Sequence, residues 1–383
     1  MISNVAQSIT RSAIRRMYDM AFEYKDTISF TVGEPDFVTP QNIIDVACEH
    51  LKLGETHYTP NSGINPLKEA IARKFSKEIH PIDPVTEVVV TCGASEALLL
   101  VMQAVLNPGD EVLLCNPYWT SYMGQIKIVN AVPKFIHVKE EDGFVLDCDE
   151  LERNITSKSK LLILNSPSNP TGSVVELEAL KRIAQIAIKH NLIVISDEVY
   201  KKIIYDDIQY VSIASLPGMA ERTIVVDSFS KSYAMTGWRL GFAFGPKEII
   251  REMVKIHEAS VSCISSPYQY AGVEALENSD HCIAEIVEKF RVRRELITKG
   301  INRIKGLSCK PPKGAFYLFV NIKELGIPSE QFAVELLKKT GVVLVPGAGF
   351  GVSGEGYIRM SFATNEQNIT EGLNRIDSFV NSL

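Results

Sequence analysis

Residues 223–244 read TIVVDSFSKSYAMTGWRLGFAF and contain two short strand-like runs, Thr223–Asp227 and Arg239–Phe244. Only about a dozen residues separate the two runs, whereas a parallel crossover needs at least that many and usually a helix of its own. The two strands are therefore predicted to be antiparallel neighbours in one sheet.

The sequence before this stretch alternates β-branched runs with helical patterns. Strands are predicted at Val88–Thr91, Glu111–Cys115, Lys134–Val138, Leu161–Asn165 and Leu192–Ser196, and helices at Ala94–Leu106 and Glu176–His190. This order is typical of an α/β protein whose mainly parallel sheet is covered by helices on both faces. With the two strands of residues 223–244, it predicts a large domain built on a mixed seven-stranded sheet.

The pattern changes after Pro246. Two long helical patterns run to about Ile304, and an α+β order follows them. Strands are predicted there at Phe316–Val320, Val342–Val345 and Tyr357–Phe362, and helices at Glu330–Thr340 and Glu366–Val380. A smaller α+β domain is therefore predicted to begin near residue 281.

The composition favours a globular protein that acts on small molecules. The 383 residues carry a net charge of -6 with both signs mixed along the chain, so no nucleic-acid partner is expected. The seven cysteines form no C-x-x-C pair and are predicted to be free thiols of a reducing compartment. No run of eighteen apolar residues occurs, so no membrane partner is expected and a cytoplasmic location is predicted.

Lys231 is the strongest candidate for covalent chemistry. Ser228 lies three residues before it, at the end of a predicted strand, and Arg239 lies eight residues after it. An amine that forms an imine with a cofactor must be held close to groups that bind the cofactor's phosphate, and Ser228 and Arg239 are such groups. Burial and nearby positive charge are expected to lower the pKa of Lys231 so that it can act as a base.

Asp197 directly follows the predicted strand Leu192–Ser196. Ligands of open α/β sheets bind beyond the carboxyl ends of the strands. A carboxylate there can keep a pyridine nitrogen protonated, so that the ring accepts electrons, and Tyr200 offers a hydroxyl to the ring's phenolic oxygen. Alternatively, Asp197 is only a helix N-cap.

Three further segments could complete such a site. Asn169 lies in a turn with two prolines after a buried strand, although this turn could be only a rigid loop. The strand-to-helix junction at residues 93–95 has small side chains that let backbone N–H groups approach a phosphate. Trp119 offers an aromatic face to a planar ring, or alternatively belongs to the core.

The motifs together resemble the class I aminotransferases of pyridoxal phosphate (PLP) fold type I, with a weak leaning towards the aromatic and aspartate-type enzymes. They occur in that family's order, from about residue 30 to 362, and comprise Gly33–Phe37, Tyr58–Gly63, Asn165–Gly172, Asp197–Tyr200, Ser228–Lys231 with Arg239, Pro312–Tyr317 and Tyr357–Arg359. The resemblance implies an N-terminal segment at residues 1–40 that joins the small domain, a large PLP-binding domain at 41–280 and a small domain at 281–383.

The resemblance also implies a role for each site residue. Lys231 would form the Schiff base, Asp197 would meet the pyridine nitrogen, and Asn169 and Tyr200 would meet the phenolic oxygen. The remaining cofactor contacts would be the ring-stacking Trp119 and the phosphate ligands Gly93, Ala94, Ser95, Ser228, Arg239 and, from the second subunit of a homodimer, Tyr58. Arg359 would bind the substrate's α-carboxylate, with help from Gly33 and Asn169. A strand arginine is stiff enough to bind a carboxylate with two parallel hydrogen bonds, although Arg359 could also be an exposed strand charge.

The implied activity is amino-group transfer between an L-amino acid and a 2-oxo acid such as 2-oxoglutarate. A PLP-dependent C–S β-lyase is the alternative within the same fold, and a non-catalytic PLP-binding domain used for regulation is an alternative of a different functional class. The amino acid's side chain stays open: Arg15 and Arg16 could select a dicarboxylate, whereas Ile14, Tyr18 and Tyr122 could line an aromatic or aliphatic pocket.

Two other kinds of site are not supported by the sequence. Gly349–Gly354 matches the dinucleotide fingerprint G-x-G-x-x-G, but a strand is predicted after it where that site requires a helix. It is interpreted as a flexible loop beside the active site. The seven histidines show no H-E-x-x-H spacing, so no metal is predicted.

Overall fold

The computed structural model describes residues 1–383. The N-terminal segment contains α1 (Asn4–Ser8), α2 (Ala13–Ala21) and β1 (Ile28–Ser29). Residues 41–278 contain α3 (Gln41–Lys52), α4 (Asn65–Phe75), β2 (Val88–Thr91), α5 (Gly93–Val105), β3 (Glu111–Asn116), α6 (Thr120–Ile128), β4 (Val132–His137), α7 (Cys148–Asn154), β5 (Ser159–Asn165), α8 (Leu177–Lys189), β6 (Ile193–Asp197), β7 (Thr223–Ser228), α9 (Phe229–Ser232), β8 (Gly241–Phe244), α10 (Lys247–Ser260) and α11 (Ser266–Asn278).

The remaining residues contain α12 (Asp280–Ile301), β9 (Tyr317–Asn321), α13 (Ser329–Thr340), β10 (Val342–Val343), β11 (Val345–Pro346), β12 (Tyr357–Ser361) and α14 (Glu366–Val380). Short 3-10 helices occur at Ile213–Ser215, Lys323–Leu325, Gly347–Phe350 and Val352–Gly354. None of the helices has the length and apolar character needed to cross a membrane.

Seven strands form the central sheet in the order β2-β8-β7-β6-β5-β3-β4. The strands from β7 to β4 pair in parallel, and β8 is antiparallel to both of its neighbours. The α/β fold class, the seven strands and the antiparallel pairing of residues 223–244 are thus confirmed. β7 is buried along its whole length, as expected for a strand with helices over both faces.

The sheet brings the ends of three strands together. Asn165 at the end of β5 lies opposite Asp197 at the end of β6, and Asp197 lies opposite Val226, two residues before Ser228. Because parallel strands present their carboxyl ends at one edge, residues far apart in sequence meet there.

The C-terminal third has its own small sheets. β11, β12 and β9 form an antiparallel sheet, and β10 pairs in parallel with β1 of the N-terminal segment through Ile28 and Val342. The N-terminal segment is tied further by the Ser361 N–H, which donates to the Phe30 carbonyl at 2.8 Å. The two ends of the chain are therefore joined by backbone hydrogen bonds.

Three predicted elements were wrong in detail. The run Val342–Val345 is not one strand, because β10 and β11 pair in different sheets on either side of Leu344. Three helices, not two, lie between Pro246 and Ile304, because Pro267 starts α11 as a new helix. Arg239 does not begin a strand: its φ of +53° is left-handed, and β8 begins at Gly241.

The glycine-rich stretch Gly349–Gly354 forms two short 3-10 helices and leads into β12, so the strand predicted after it is confirmed. Its glycines allow close packing. A Cβ on Gly354 would lie 2.0 Å from the Gly347 carbonyl oxygen, and one on Gly351 would lie 2.4 Å from Asn116 Oδ1. The Ser353 N–H donates to that same Oδ1 at 3.2 Å, so the stretch is anchored to the end of β3.

Candidate active site

A cavity of about 220 Å³ opens at the carboxyl ends of β5, β6 and β7. All the predicted site residues line this cavity except Gly93 and Tyr58. Gly93 packs against the Arg239 side chain. The predicted lining residues are Gly33, Ala94, Ser95, Trp119, Asn169, Asp197, Tyr200, Ser228, Lys231, Arg239 and Arg359. Ile14, Leu98, Tyr122, Asn165, Val199, Ser230 and Tyr317 complete the wall.

Lys231 lies in the four-residue helix α9, which directly follows β7. Its Nζ donates a hydrogen bond to the Gly33 carbonyl at 2.6 Å. Burial lowers the pKa of Lys231 to about 8; Arg239 and Arg359 add to the lowering, and the charge of Glu34 opposes it. A substantial fraction of this amine is therefore neutral near physiological pH, as a nucleophile or base requires.

Asp197 is 4% exposed at the end of β6. Burial raises the pKa of this carboxyl to about 6, while a hydrogen bond from Tyr122 acts in the opposite direction. Tyr122 Oη donates to Asp197 Oδ2 at 2.5 Å. A turn follows Asp197 and no helix begins there, so the helix-cap alternative is wrong. A cationic ring nitrogen is the partner that would stabilise the ionised carboxylate at this depth.

The anion-binding end of the cavity lies at the N-terminus of α5. Arg239 Nη1 donates a hydrogen bond to the Thr236 carbonyl at 2.8 Å, which holds the guanidinium in place. A Cβ on Gly93 would lie 2.7 Å from Arg239 Nη2, so only glycine leaves room for the guanidinium. The positive end of the α5 dipole and Arg239 therefore converge near the buried Ser228 hydroxyl, a combination suited to a phosphate.

Asn165 fixes the position of Asn169. The Asn169 N–H donates to Asn165 Oδ1 at 2.9 Å, and Asn165 Nδ2 donates to the Asp197 carbonyl at 3.2 Å. Asn169 is buried and lines the cavity, so the turn that carries it contributes a side chain to the cavity wall and is not only a rigid loop.

Arg359 is fully buried, which shows that the exposed-charge alternative is wrong. Its Nη1 donates to Asn169 Oδ1 at 3.2 Å, and its Nη2 donates to the Thr31 carbonyl. Its Nε has no hydrogen-bond partner in the protein. Burial lowers the pKa of Arg359. A buried guanidinium with an unused N–H is suited to bind a carboxylate.

Two tyrosines of the site make contacts that the sequence did not predict. Tyr317 Oη lies 2.7 Å from Tyr200 Oη, and Tyr122 contacts Asp197 instead of serving only as pocket lining. The Pro312–Tyr317 motif pointed to the first of them. The position of Tyr122 one helical turn after Trp119 pointed to the second. Trp119 itself lines the cavity and packs edge-on against Tyr122, with ring centroids 5.2 Å apart.

Tyr58 is 91% exposed and does not line the cavity. Within a single chain it therefore has no contact with the residues predicted to bind the cofactor.

A buried amine, a strand-end carboxylate and two arginines that line one cavity of a mixed α/β sheet are the combination expected of the fold type I enzymes, to which the aminotransferases belong. The family model for aminotransferase class I and II matches residues 25–376. The chain is 45% identical to the aspartate aminotransferase of Pyrococcus abyssi over 96% of this chain and 95% of that protein. It is 40% identical to aromatic-amino-acid aminotransferase 2 of Thermococcus litoralis over 98% and 97%.

Among solved structures, the aromatic aminotransferase from Pyrococcus horikoshii OT3 superposes with a TM-score of 0.91 at 43% identity, over 96% of this chain and 99% of that one. The chain therefore belongs to the aminotransferase class I and II family. It is an amino acid aminotransferase, and the C–S β-lyase alternative is not favoured.

Proposed function

We propose that this aminotransferase holds PLP on Lys231 and takes amino donors with uncharged side chains, aromatic ones above all. One observation carries the choice of donor. Each charged side chain that lines the cavity already has a proposed role with the cofactor or with the substrate's α-carboxylate. None remains to bind a second carboxylate on the substrate.

The residues present fit PLP. The α5 N-terminus, Ser228 and Arg239 suit the phosphate, Asp197 suits the ring nitrogen, and the amide of Asn169 and the hydroxyl of Tyr200 suit the phenolic oxygen. The bound cofactor supplies an electron sink for the substrate carbon that loses its proton. Lys231 Nζ then carries that proton away from the carbon, because its lowered pKa leaves the amine free to accept it.

Arg359 binds the substrate's α-carboxylate in this proposal. Replacing Arg359 with alanine should weaken every amino donor and every oxo acid together, because all of them share that carboxylate. Removing one partner of a charge-assisted pair in a closed site costs about 2–5 kcal/mol, so kcat/KM should fall about thirtyfold to several thousandfold. The spectrum of the bound cofactor should persist.

Steady-state kinetics with two unlike donors test this prediction. Arg182→Ala, at an exposed arginine paired with Asp149, is the matched control and should leave kcat/KM unchanged. A loss in Arg359→Ala that is confined to one donor would assign Arg359 to the side-chain pocket instead.

The side-chain pocket is apolar where the N-terminal segment reaches the cavity. Ile14 lines it, whereas Arg15 pairs with Asp19 at 3.1 Å and Arg16 pairs with Glu330 at 3.0 Å. Both arginines are largely exposed and already neutralised. A second substrate carboxylate would therefore be buried without a partner, which is costly.

Phenylalanine should accordingly react at least about tenfold faster than aspartate, compared as kcat/KM for the donor half-reaction. The measurement is the absorbance change of the bound cofactor after an amino acid alone is added, which removes the acceptor from the comparison. Ile14→Lys brings a cation to the pocket and should narrow this preference about fivefold or more, whereas Ile14→Leu should leave it unchanged. Aspartate reacting as fast as phenylalanine in the unmodified protein would contradict the proposed donor class.

We propose a homodimer, because Tyr58 can serve as a phosphate ligand only in the site of a second copy. Exposed apolar side chains near Tyr58 support this proposal: Leu53 precedes its loop, and Val261 lies beside that loop through the hydrogen bond from Asn61 Nδ2 to the Ser262 carbonyl at 2.8 Å. A two-fold interface would use this patch twice.

The three-part division at residues 40 and 280 stays a proposal, supported by the pairing of β1 with β10. A cytoplasmic location is also a proposal, supported by seven cysteines without a disulfide.

A further inference from the structure

Tyr317 is a buried tyrosine of the cavity wall, and the proposed function assigns it no role. We propose that Tyr317 is a positioning residue that joins the two halves of the site: its hydroxyl orients Tyr200 towards the cofactor's phenolic oxygen, and its ring holds Arg359 for the substrate's carboxylate. This inference rests on the proposed function.

The hydroxyl of Tyr317 has one hydrogen-bond partner in the protein, Tyr200 Oη at 2.7 Å. Gly33 covers it so closely that an added Cβ there would lie 2.0 Å from Tyr317 Oη. Tyr200 Oη likewise has no other protein partner, and it is the group predicted to meet the phenolic oxygen. In this proposal Tyr317 donates to Tyr200, which leaves the Tyr200 proton to donate into the cavity. Tyr317 therefore sets the direction of the Tyr200 proton.

The ring of Tyr317 faces the Arg359 guanidinium, whose Cζ lies 4.5 Å from the ring centroid. The other restraints on Arg359 are its hydrogen bonds to Asn169 and Thr31 and a second ring, that of Phe350, at 5.2 Å. A desolvated cation–π contact is energetically significant, and it fixes the plane of the guanidinium. The ring thus keeps the carboxylate-binding face of Arg359 towards the substrate.

The small antiparallel sheet makes this arrangement rigid. Tyr317 in β9 lies opposite Ser361 in β12, and Arg359 lies opposite Phe319, so the two side chains are diagonal neighbours on paired strands. Diagonal neighbours lie within reach of aromatic and long side chains. The partner on the other side, Tyr200, is presented from the turn after β6.

The two parts of Tyr317 can be tested separately in the PLP-loaded protein. Tyr317→Phe removes the hydroxyl and keeps the ring, and Tyr317→Leu removes both. Tyr205→Phe is the matched control, because this buried hydroxyl also makes one hydrogen bond, to the Ala315 carbonyl at 2.7 Å, and does not line the cavity.

The first measurement is the pH midpoint of the bound cofactor's absorption without substrate, and the second is calorimetric binding of 3-phenylpropanoate. That compound carries the carboxylate but no amino group, so it does not react. Donation from Tyr200 stabilises a negative phenolic oxygen and so lowers the pKa of the nitrogen that joins the cofactor to Lys231. Tyr317→Phe should therefore raise the midpoint by about 0.5–1 pH unit and leave the Kd within about twofold. Tyr317→Leu should raise the midpoint equally and weaken binding about threefold to thirtyfold.

An unchanged midpoint in Tyr317→Phe, or a shift equal to that of Tyr205→Phe, would overturn the task of the hydroxyl. An unchanged Kd in a folded Tyr317→Leu variant would overturn the task of the ring. The proposed function fails in a different way: the unmodified protein itself would then show no cofactor absorption that depends on Lys231.

Discussion

Replacing Lys231 with alanine is expected to lower the rate of amino transfer about ten-thousandfold or more. Lys231 Nζ is the one amine that lines the cavity, and its pKa of about 8 suits it to move the substrate's proton. Loss of a positioned acid–base group alone typically costs a hundredfold to ten-thousandfold, and the covalent hold on the cofactor is lost with it. The loss is measured as turnover with phenylalanine and a 2-oxo acid whose side chain is uncharged.

A covalent label shows whether the loss has this cause. Borohydride reduction of the unmodified protein, followed by peptide mapping, should place the pyridoxyl group on Lys231, and Lys231→Ala should carry none. Lys181→Ala, at an exposed lysine paired with Glu178, is the control and should keep both label and turnover. A label on any other lysine would contradict the assignment.

Replacing Asp197 with alanine should cost about a thousandfold or more in rate while the cofactor stays partly bound. The phosphate contacts around Arg239 remain in this variant, but the ring nitrogen loses the carboxylate that keeps it protonated, and the ring becomes a poor electron sink. The rate should be measured under saturating PLP, with cofactor content determined from absorbance.

The Asp197→Asn variant tests the charge of this side chain separately from its size and shape. It keeps the volume and a hydrogen-bonding oxygen for Tyr122, so a loss close to that of the alanine variant would show that the charge matters. Tyr122→Phe should have a much smaller effect, because it removes only one hydrogen bond from a carboxylate that stays in place. Near-normal turnover in both Asp197 variants would mean that the carboxylate has only a structural role.

The central sheet was predictable because its signals are local. Runs such as Val88–Thr91 and Leu161–Asn165 are apolar, β-branched or both, and turn residues bound them, so their type follows from the sequence. The antiparallel pairing of β7 and β8 followed from the length of the connection alone. The single strand predicted at Val342–Val345 was wrong because the local sequence does not indicate that its two halves pair with different strands.

Lys231, Asp197 and Asn169 could be proposed as site residues for the same reason. Each lies at or just beyond the end of a strand, and the ends of parallel strands meet at one edge. Arg239 could be proposed as a site residue although its predicted strand was wrong, because its spacing from Lys231 does not depend on the backbone conformation.

The sequence by itself determined the α/β class and which residues stand at the strand ends, because periodicity and motif spacing are properties of neighbouring residues. Only the tertiary structure decided which arginine side chains pair with a carboxylate of the protein and which do not. Arg15 and Arg359 are both arginines, yet one pairs with Asp19 at the surface and the other is buried beside the cavity with one N–H that has no partner in the protein. The hydrogen bond between Tyr200 and Tyr317 joins residues 117 positions apart. Such contacts depend on how the sheets pack, and packing follows from the whole chain rather than from any stretch of it.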